Sequence, residues 1–148
     1  MKILSVDDSA IIRKIIRSGV EVLDYELVEA ADGIEALTIL ERSSEDIILI
    51  LLDWNMPGMD GLVFLEKIKA LFLLLNQTLD IPYQNGKTEE KIKNTASLKH
   101  IPVMMVTTES EKENIIRAIQ AGAINYLVKP FTIEELMKKV LECMGEGR

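Results

Sequence analysis

At 148 residues the chain has room for one domain of ordinary size, and at that length a single core can be buried without staples. Seventeen Lys and Arg against 24 Asp and Glu leave a formal charge of −7, which opposes a broad electrostatic footprint on nucleic-acid phosphates or anionic lipid. The single cysteine, Cys143, excludes an internal disulfide and fits a reducing compartment.

In chain order, Lys2 to Val6 reads as a buried strand, and the short run before Asp7 and Asp8 leaves no apolar core for a signal peptide, so the cytoplasm is the expected location. Ile11, Ile12, Ile15, Ile16 and Val20 recur on one helical face. Tyr25 to Ala30 is a less pronounced second strand, and Asp32-Gly-Ile-Glu35 is the Asp variant of a capping box that opens the second helix. The unbroken apolar run Ile47 to Leu52 fits a strand covered on both faces, as in parallel sheets. Leu62, Leu65, Ile68 and Phe72 mark a third helix.

From about 72 to 99 the chain spends more than twenty residues on a connection for which ~2–6 normally suffice. The polar run Gln84 to Lys93, the turn pair Asn85-Gly86 and Pro82 mark this stretch as an insertion of loop or short local structure. A helix-to-strand connection enters at the amino ends of the strands, so the insertion should spare chemistry at the carboxyl ends. Leu71 to Leu75, Leu79, Ile81 and Tyr83 either extend the third helix and pack locally or form a partner surface. Pro102 to Val106 and Asn125 to Val128 complete the strands, Ser110-Glu-Lys-Glu113 and Thr132-Ile-Glu-Glu135 cap the last helices, and Gly122 and Gly145 stop them. The longest clean apolar runs, Ile47 to Leu52 and Ala70 to Leu75, fall far short of the ~18 residues that span a bilayer.

This alternation of strand and helix predicts an α/β fold, a doubly wound five-stranded parallel sheet flanked by helices, in a single domain over 1–148. Its ligand site should lie at the carboxyl ends of the strands. There the sequence puts Asp7 and Asp8 after the first strand, Asp53 after the third, Thr107 and Thr108 after the fourth, and Lys129 after the fifth. Three carboxylates at one edge repel and are tolerable only with a cation among them or a proton on one. All-oxygen ligands in an open site suit Mg²⁺. Asp8 or Ser9 alone could serve merely as a helix cap, but caps require neither a lysine nor a hydroxyl at neighbouring strand ends. With Mg²⁺ between them, one carboxylate can attack a phosphoryl group to give an aspartyl phosphate. There is no G-x-x-x-x-G-K-[ST] loop and no G-x-G-x-x-G, and His100 is the sole histidine.

The run Asp53-Trp-Asn-Met-Pro-Gly-Met-Asp-Gly61, with Val6-Asp-Asp-Ser9, Met105-Val-Thr-Thr-Glu109 and Tyr126-Leu-Val-Lys-Pro-Phe131, resembles the response-regulator receiver domains of two-component signalling, and most of all their CheY-like chemotaxis members. The resemblance covers nearly the whole chain except the stretch after Phe72. It implies the flavodoxin-like receiver fold, with Asp53 as phosphoacceptor, and Asp8, Asp53 and the backbone carbonyl of Asn55 as direct Mg²⁺ ligands, with Asp7 acting through water. It further implies that Lys129 and Thr107 bind the phosphoryl group, that the Lys129-Pro130 bond is cis, and that Thr107 and an inward-rotating Tyr126 form the switch. Taken alone, Tyr126 has the alternative reading of a half-buried strand residue with its hydroxyl in water. Asn55 and Glu109 stand where the family tunes dephosphorylation; Thr108 stands where a smaller residue is usual, which bears on access to the phosphate. Trp54 abuts the acceptor and should report on metal and phosphate, although a surface aromatic near a loop would report as well.

The function expected from this resemblance is a switch. A CheA-like histidine kinase would donate phosphate to Asp53, and a surface on the fourth helix, fifth strand and fifth helix, around Glu111, Arg117, Tyr126 and Lys138, would change partners. The partners would be a flagellar motor switch protein or a phosphatase, with neither nucleic acid nor membrane involved. A phosphorelay intermediate is a second form of the same class. An aspartyl-phosphate phosphohydrolase is the alternative from another class, and it lacks the D-x-D arrangement at Asp7-Asp8-Ser9. A degenerate receiver controlled by protein contacts alone conflicts with the complete set Asp7, Asp8, Asp53, Thr107 and Lys129.

Overall fold

A computed structural model of the chain describes residues 1–43, 46–56, 58–79, 101–108 and 112–145. Five strands, β1 (Lys2–Val6), β2 (Glu26–Ala30), β3 (Ile47–Asp53), β4 (Val103–Thr107) and β5 (Asn125–Val128), alternate with helices α1 (Ala10–Val22), α2 (Gly33–Ser43), α3 (Gly61–Leu79), α4 (Lys112–Gln120) and α5 (Ile133–Cys143). The strands form one sheet in the order β2-β1-β3-β4-β5, and every pairing is parallel. The doubly wound fold expected from the alternation is therefore the one observed.

The apolar strands are what bury this sheet on both sides. Alternate residues point to opposite faces, so Leu4, Val6, Ile50, Leu52, Val103 and Met105 share one core with Ala36 and Leu40 of α2, Phe64, Leu65 and Ile68 of α3 and Ala118 of α4. Ile3, Leu49, Leu51, Met104, Val106 and Leu127 share the other with Ile16 and Val20 of α1 and Leu136 and Val140 of α5. A run such as Ile47 to Leu52 needs no polar alternation because it has no wet face.

Two readings of helical faces are corrected. Ile11 is 73% exposed, because α1 turns about 100° per residue and its stripe passes through Ile12, Ile15, Ile16 and Val20 instead. Phe64, absent from the expected stripe of α3, is fully buried. Boundaries also move by one residue: Asp53 pairs with Val106 and ends β3, and Thr107 pairs with Val128 and ends β4. Both side chains are thereby held by the sheet itself.

The expected caps are in place where the structure describes them. The Ser9 hydroxyl accepts the Ile12 N–H at 3.3 Å, Asp32 accepts that of Glu35 at 2.8 Å and Thr132 that of Glu135 at 3.0 Å. The Glu35 carboxylate returns to the Ala31 N–H at 3.2 Å, completing a capping box one residue wider than usual. Asp60, not anticipated as a cap, accepts the Val63 N–H at 3.0 Å at the start of α3. Gly122 (φ +117°) follows α4 in a conformation that side chains other than glycine rarely adopt. The Ser110 cap, His100 and the inserted stretch beyond Leu79 lie outside the described residues. Before it, α3 runs through 72–79, so the first part of that stretch does extend the third helix.

Gly61 opens α3 beneath Trp54, donating its N–H to the Trp54 carbonyl at 2.9 Å. A Cβ there would sit 2.7 Å from Trp54 Cε3 and 3.0 Å from its Cα. Gly61→Ala should therefore destabilise the protein by about 1–3 kcal/mol and shift Trp54 emission, both readable in one urea titration followed by fluorescence.

Candidate functional site

In the strand order β2-β1-β3-β4-β5, successive connections run to opposite sides between β1 and β3, and the crevice at their carboxyl ends is the natural ligand site. Asp7 and Asp8 follow β1, and Asp53 ends β3, so the topology brings the three carboxyl groups together. One oxygen from each lies within 4.8 Å of the others. Asp7 and Asp53 are buried, at 1% and 5% exposure, while Asp8 is exposed at the rim.

Asp7 is fixed from three sides. Its Oδ1 accepts the Ser9 N–H at 2.8 Å, its Oδ2 accepts from Lys129 Nζ at 2.9 Å, and its main-chain carbonyl accepts from Arg13 Nη1 at 3.0 Å. Asp53 Oδ1 accepts the Asn55 N–H at 3.2 Å and lies 3.5 Å from Lys129 Nζ. Lys129 comes from the end of β5, where its N–H donates to the Thr107 carbonyl at 2.7 Å and ties the two strand ends together. The Lys129-Pro130 bond is cis, as expected.

Lys129 is the ammonium beside these carboxyl groups, and Asp53 is held well above the usual carboxylate range. Its pKa rises from 3.8 to about 6, chiefly through burial, with the Asp7 carboxylate and to a smaller extent Asp8 adding to the rise while Lys129 and the Asn55 N–H partly oppose it. Such a site gains from a cation. Its donors are hard carboxylate oxygens, two buried and fixed and one facing solvent, a set that fits Mg²⁺, which keeps several waters and takes few protein ligands.

Thr107 is fully buried one strand from Asp53, and Thr108 beside it is exposed. Tyr126 on β5 is 36% exposed, and Asn55 is exposed. Glu109 and Glu111 lie outside the described residues, while Arg117 and Lys138 are exposed on α4 and α5. Trp54 is no surface aromatic: it is 7% exposed and packs with Met56, Met59 and Phe64 in the core under the site. Arg13 was not singled out from the sequence, and only its position one turn into α1, facing back toward Asp7, could have marked it.

With this geometry in view, the model of the response regulator receiver domain matches residues 3–79 and 78–141. The chain belongs to this family. The receiver domain is 36% identical over 148 residues to the chemotaxis protein CheY homolog of Campylobacter jejuni, spanning 99% of this chain and 95% of the relative. Among solved structures, chemotaxis protein CheY4 of Vibrio cholerae superposes with a TM-score of 0.72 at 30% identity, over 96% of this chain and 97% of that one. A CheY-like receiver domain protein of Methanospirillum hungatei gives 0.70 at 27% identity, over 99% and 94%. Among the described residues of the receiver domain, no helix is long and apolar enough to cross a membrane.

Proposed function

We propose that this receiver domain, with its insertion after α3, is a phosphorylation-activated switch. Asp53 would accept a phosphoryl group from a CheA-like histidine kinase in the cytoplasm, and the output would be a changed protein-binding surface acting on a flagellar motor switch protein or a phosphatase. The observation that carries this reading is the placement of Asp53, buried at the end of β3 and gathered with Asp7, Asp8 and Lys129.

The transfer forms a bond between an Asp53 carboxylate oxygen and phosphorus and breaks the phosphorus–nitrogen bond of the donor histidine, whose imidazole leaves with the electron pair. Asp7, Asp8, Asp53 and the Asn55 carbonyl would hold Mg²⁺, which would neutralise charge on the phosphoryl oxygens. Asn55 would orient the nucleophile through its N–H bond to Asp53 Oδ1. Lys129 Nζ, 2.9 Å from Asp7 and 3.5 Å from Asp53, would bind the new phosphoryl oxygens. The Thr107 hydroxyl would then move to the phosphate, and Tyr126 would rotate from its exposed position toward the space vacated. Thr108 and Glu109, beside the switch hydroxyl, together with Asn55, would tune how long the phosphate survives. The covalent phosphate shifts a two-state equilibrium because it makes these contacts in only one state.

Beryllofluoride with Mg²⁺ is a stable mimic of the phosphoryl group. Trp54 abuts Asp53 in sequence and lies in the core below it, so its emission should change on adding Mg²⁺ and change again with beryllofluoride. A pull-down from the native host should then retain a flagellar switch component or phosphatase only with beryllofluoride present. Unchanged emission together with identical capture under both conditions would remove the switch reading.

A further inference from the structure

Tyr126 is held from outside the acidic site. Lys139 of α5 places its Nζ 4.9 Å from the centroid of the Tyr126 ring. The ammonium is itself seated, because it donates to Asn125 Oδ1 at 3.3 Å. The same oxygen accepts the Tyr126 main-chain N–H at 2.8 Å, and Asn125 Nδ2 donates to Glu142 Oε2 at 3.1 Å. A single amide at the start of β5 thus grips two α5 residues one helical turn apart and aims a cation at the ring of its own neighbour.

We propose that Lys139, seated by Asn125 and Glu142, is a latch that holds Tyr126 outward and so sets the fraction of molecules already switched before phosphorylation. The proposal rests on the reading of Tyr126 as the moving residue of the switch. An ammonium over an aromatic face attracts the ring quadrupole, and the ring gives up that attraction when it turns inward. At a partly exposed position the contact favours the outward state by about two- to fivefold. A ligand that binds only the inward state loses apparent affinity by the same factor, because the competent fraction multiplies its binding constant. Lys139 is therefore a positioning residue: it touches neither Asp53 nor its carboxylate neighbours, yet it biases how readily phosphorylation is converted into a changed surface.

The test follows ring-labelled tyrosine by NMR, with Tyr126 assigned through Tyr126→Phe, during titration with beryllofluoride at saturating Mg²⁺. Lys139→Met keeps an unbranched apolar stem of nearly the same length and removes the charge. It should move the Tyr126 ring signals of the unliganded protein toward their beryllofluoride-bound positions and lower the half-saturating concentration about two- to fivefold. Lys139→Arg should titrate like the parent, since a guanidinium also stacks on the ring. Asn125→Ser, which removes the seat and leaves the ammonium, should shift both readouts in the direction of Lys139→Met and decides the question if that variant fails to fold. Parent and both disrupting variants titrating alike, with a ring that responds in each, would overturn the latch alone. A parent ring that ignores saturating beryllofluoride while Trp54 responds would overturn the latch together with the Tyr126 assignment and leave the Asp53 chemistry standing.

Discussion

Asp53→Asn should abolish covalent phosphate incorporation from a small phosphodonor such as acetyl phosphate with Mg²⁺, measured by intact-mass spectrometry. The amide keeps the shape of the carboxyl and can still accept the Asn55 N–H, so its loss of activity would isolate the nucleophile from the architecture around it. The same variant should be more stable than the parent when metal is chelated. A carboxyl whose folded value is near 6 instead of 3.8 costs the fold about 3 kcal/mol once ionised. The folded state binds the proton more tightly than the unfolded chain, so the parent loses stability as pH rises from 3.8 toward 6, and the whole cost is present above that range. Urea melts in chelator should therefore show Asp53→Asn ahead by up to about 3 kcal/mol at pH 8 and level with the parent near pH 3. Stoichiometric labelling of the Asn variant would sink the phosphoacceptor assignment; equal stability at pH 8 would sink the electrostatic account of the site.

Why the acidic site was legible in the sequence, and its surroundings less so, follows from what each kind of residue needs. In a parallel sheet covered on both faces the central strands are nearly continuous apolar runs, so a polar residue at or just past the end of a strand stands out without any knowledge of pairing. Asp7, Asp53, Thr107 and Lys129 are all of this kind, and the topology then gathers them at one edge. Ile11 was misplaced because it lies just beyond the Ile15 edge of the stripe formed by Ile12, Ile15, Ile16 and Val20, and periodicity does not say how wide the covered stripe is. The burial of Trp54 depends on Gly61 leaving room for its ring, a contact between the end of β3 and the start of α3 that no periodicity encodes. The Asn125, Lys139, Glu142 and Tyr126 group joins a strand to the helix that follows it through side-chain ends, and its members read individually as ordinary solvated residues.

Lys129→Ala should have its largest effect on the chelated, unphosphorylated protein and a different one on the phosphorylated protein. The ammonium is 10% exposed and serves two carboxyl groups that are themselves 2% and 6% exposed at the side chain, so its removal leaves buried negative charge with no fixed cation. Breaking such a pair costs about 3 kcal/mol or more. Because Lys129 holds the Asp53 pKa down, its loss should raise that pKa further. The folded state would then bind its proton still more tightly, and the deficit of the variant should grow from pH 5 to pH 8 in chelator. Adding Mg²⁺ should return more stability to the variant than to the parent, since the cation then has more uncompensated charge to neutralise. Asp53 remains present, so phosphate should still be incorporated, but the contact that Lys129 makes only with the phosphorylated state is gone. Trp54 emission and partner capture should therefore respond weakly to a phosphoryl group that mass spectrometry shows to be there. A variant that is labelled and also responds like the parent would remove Lys129 from the switch, while one that binds no Mg²⁺ would assign it to metal binding, where its charge should only have hindered.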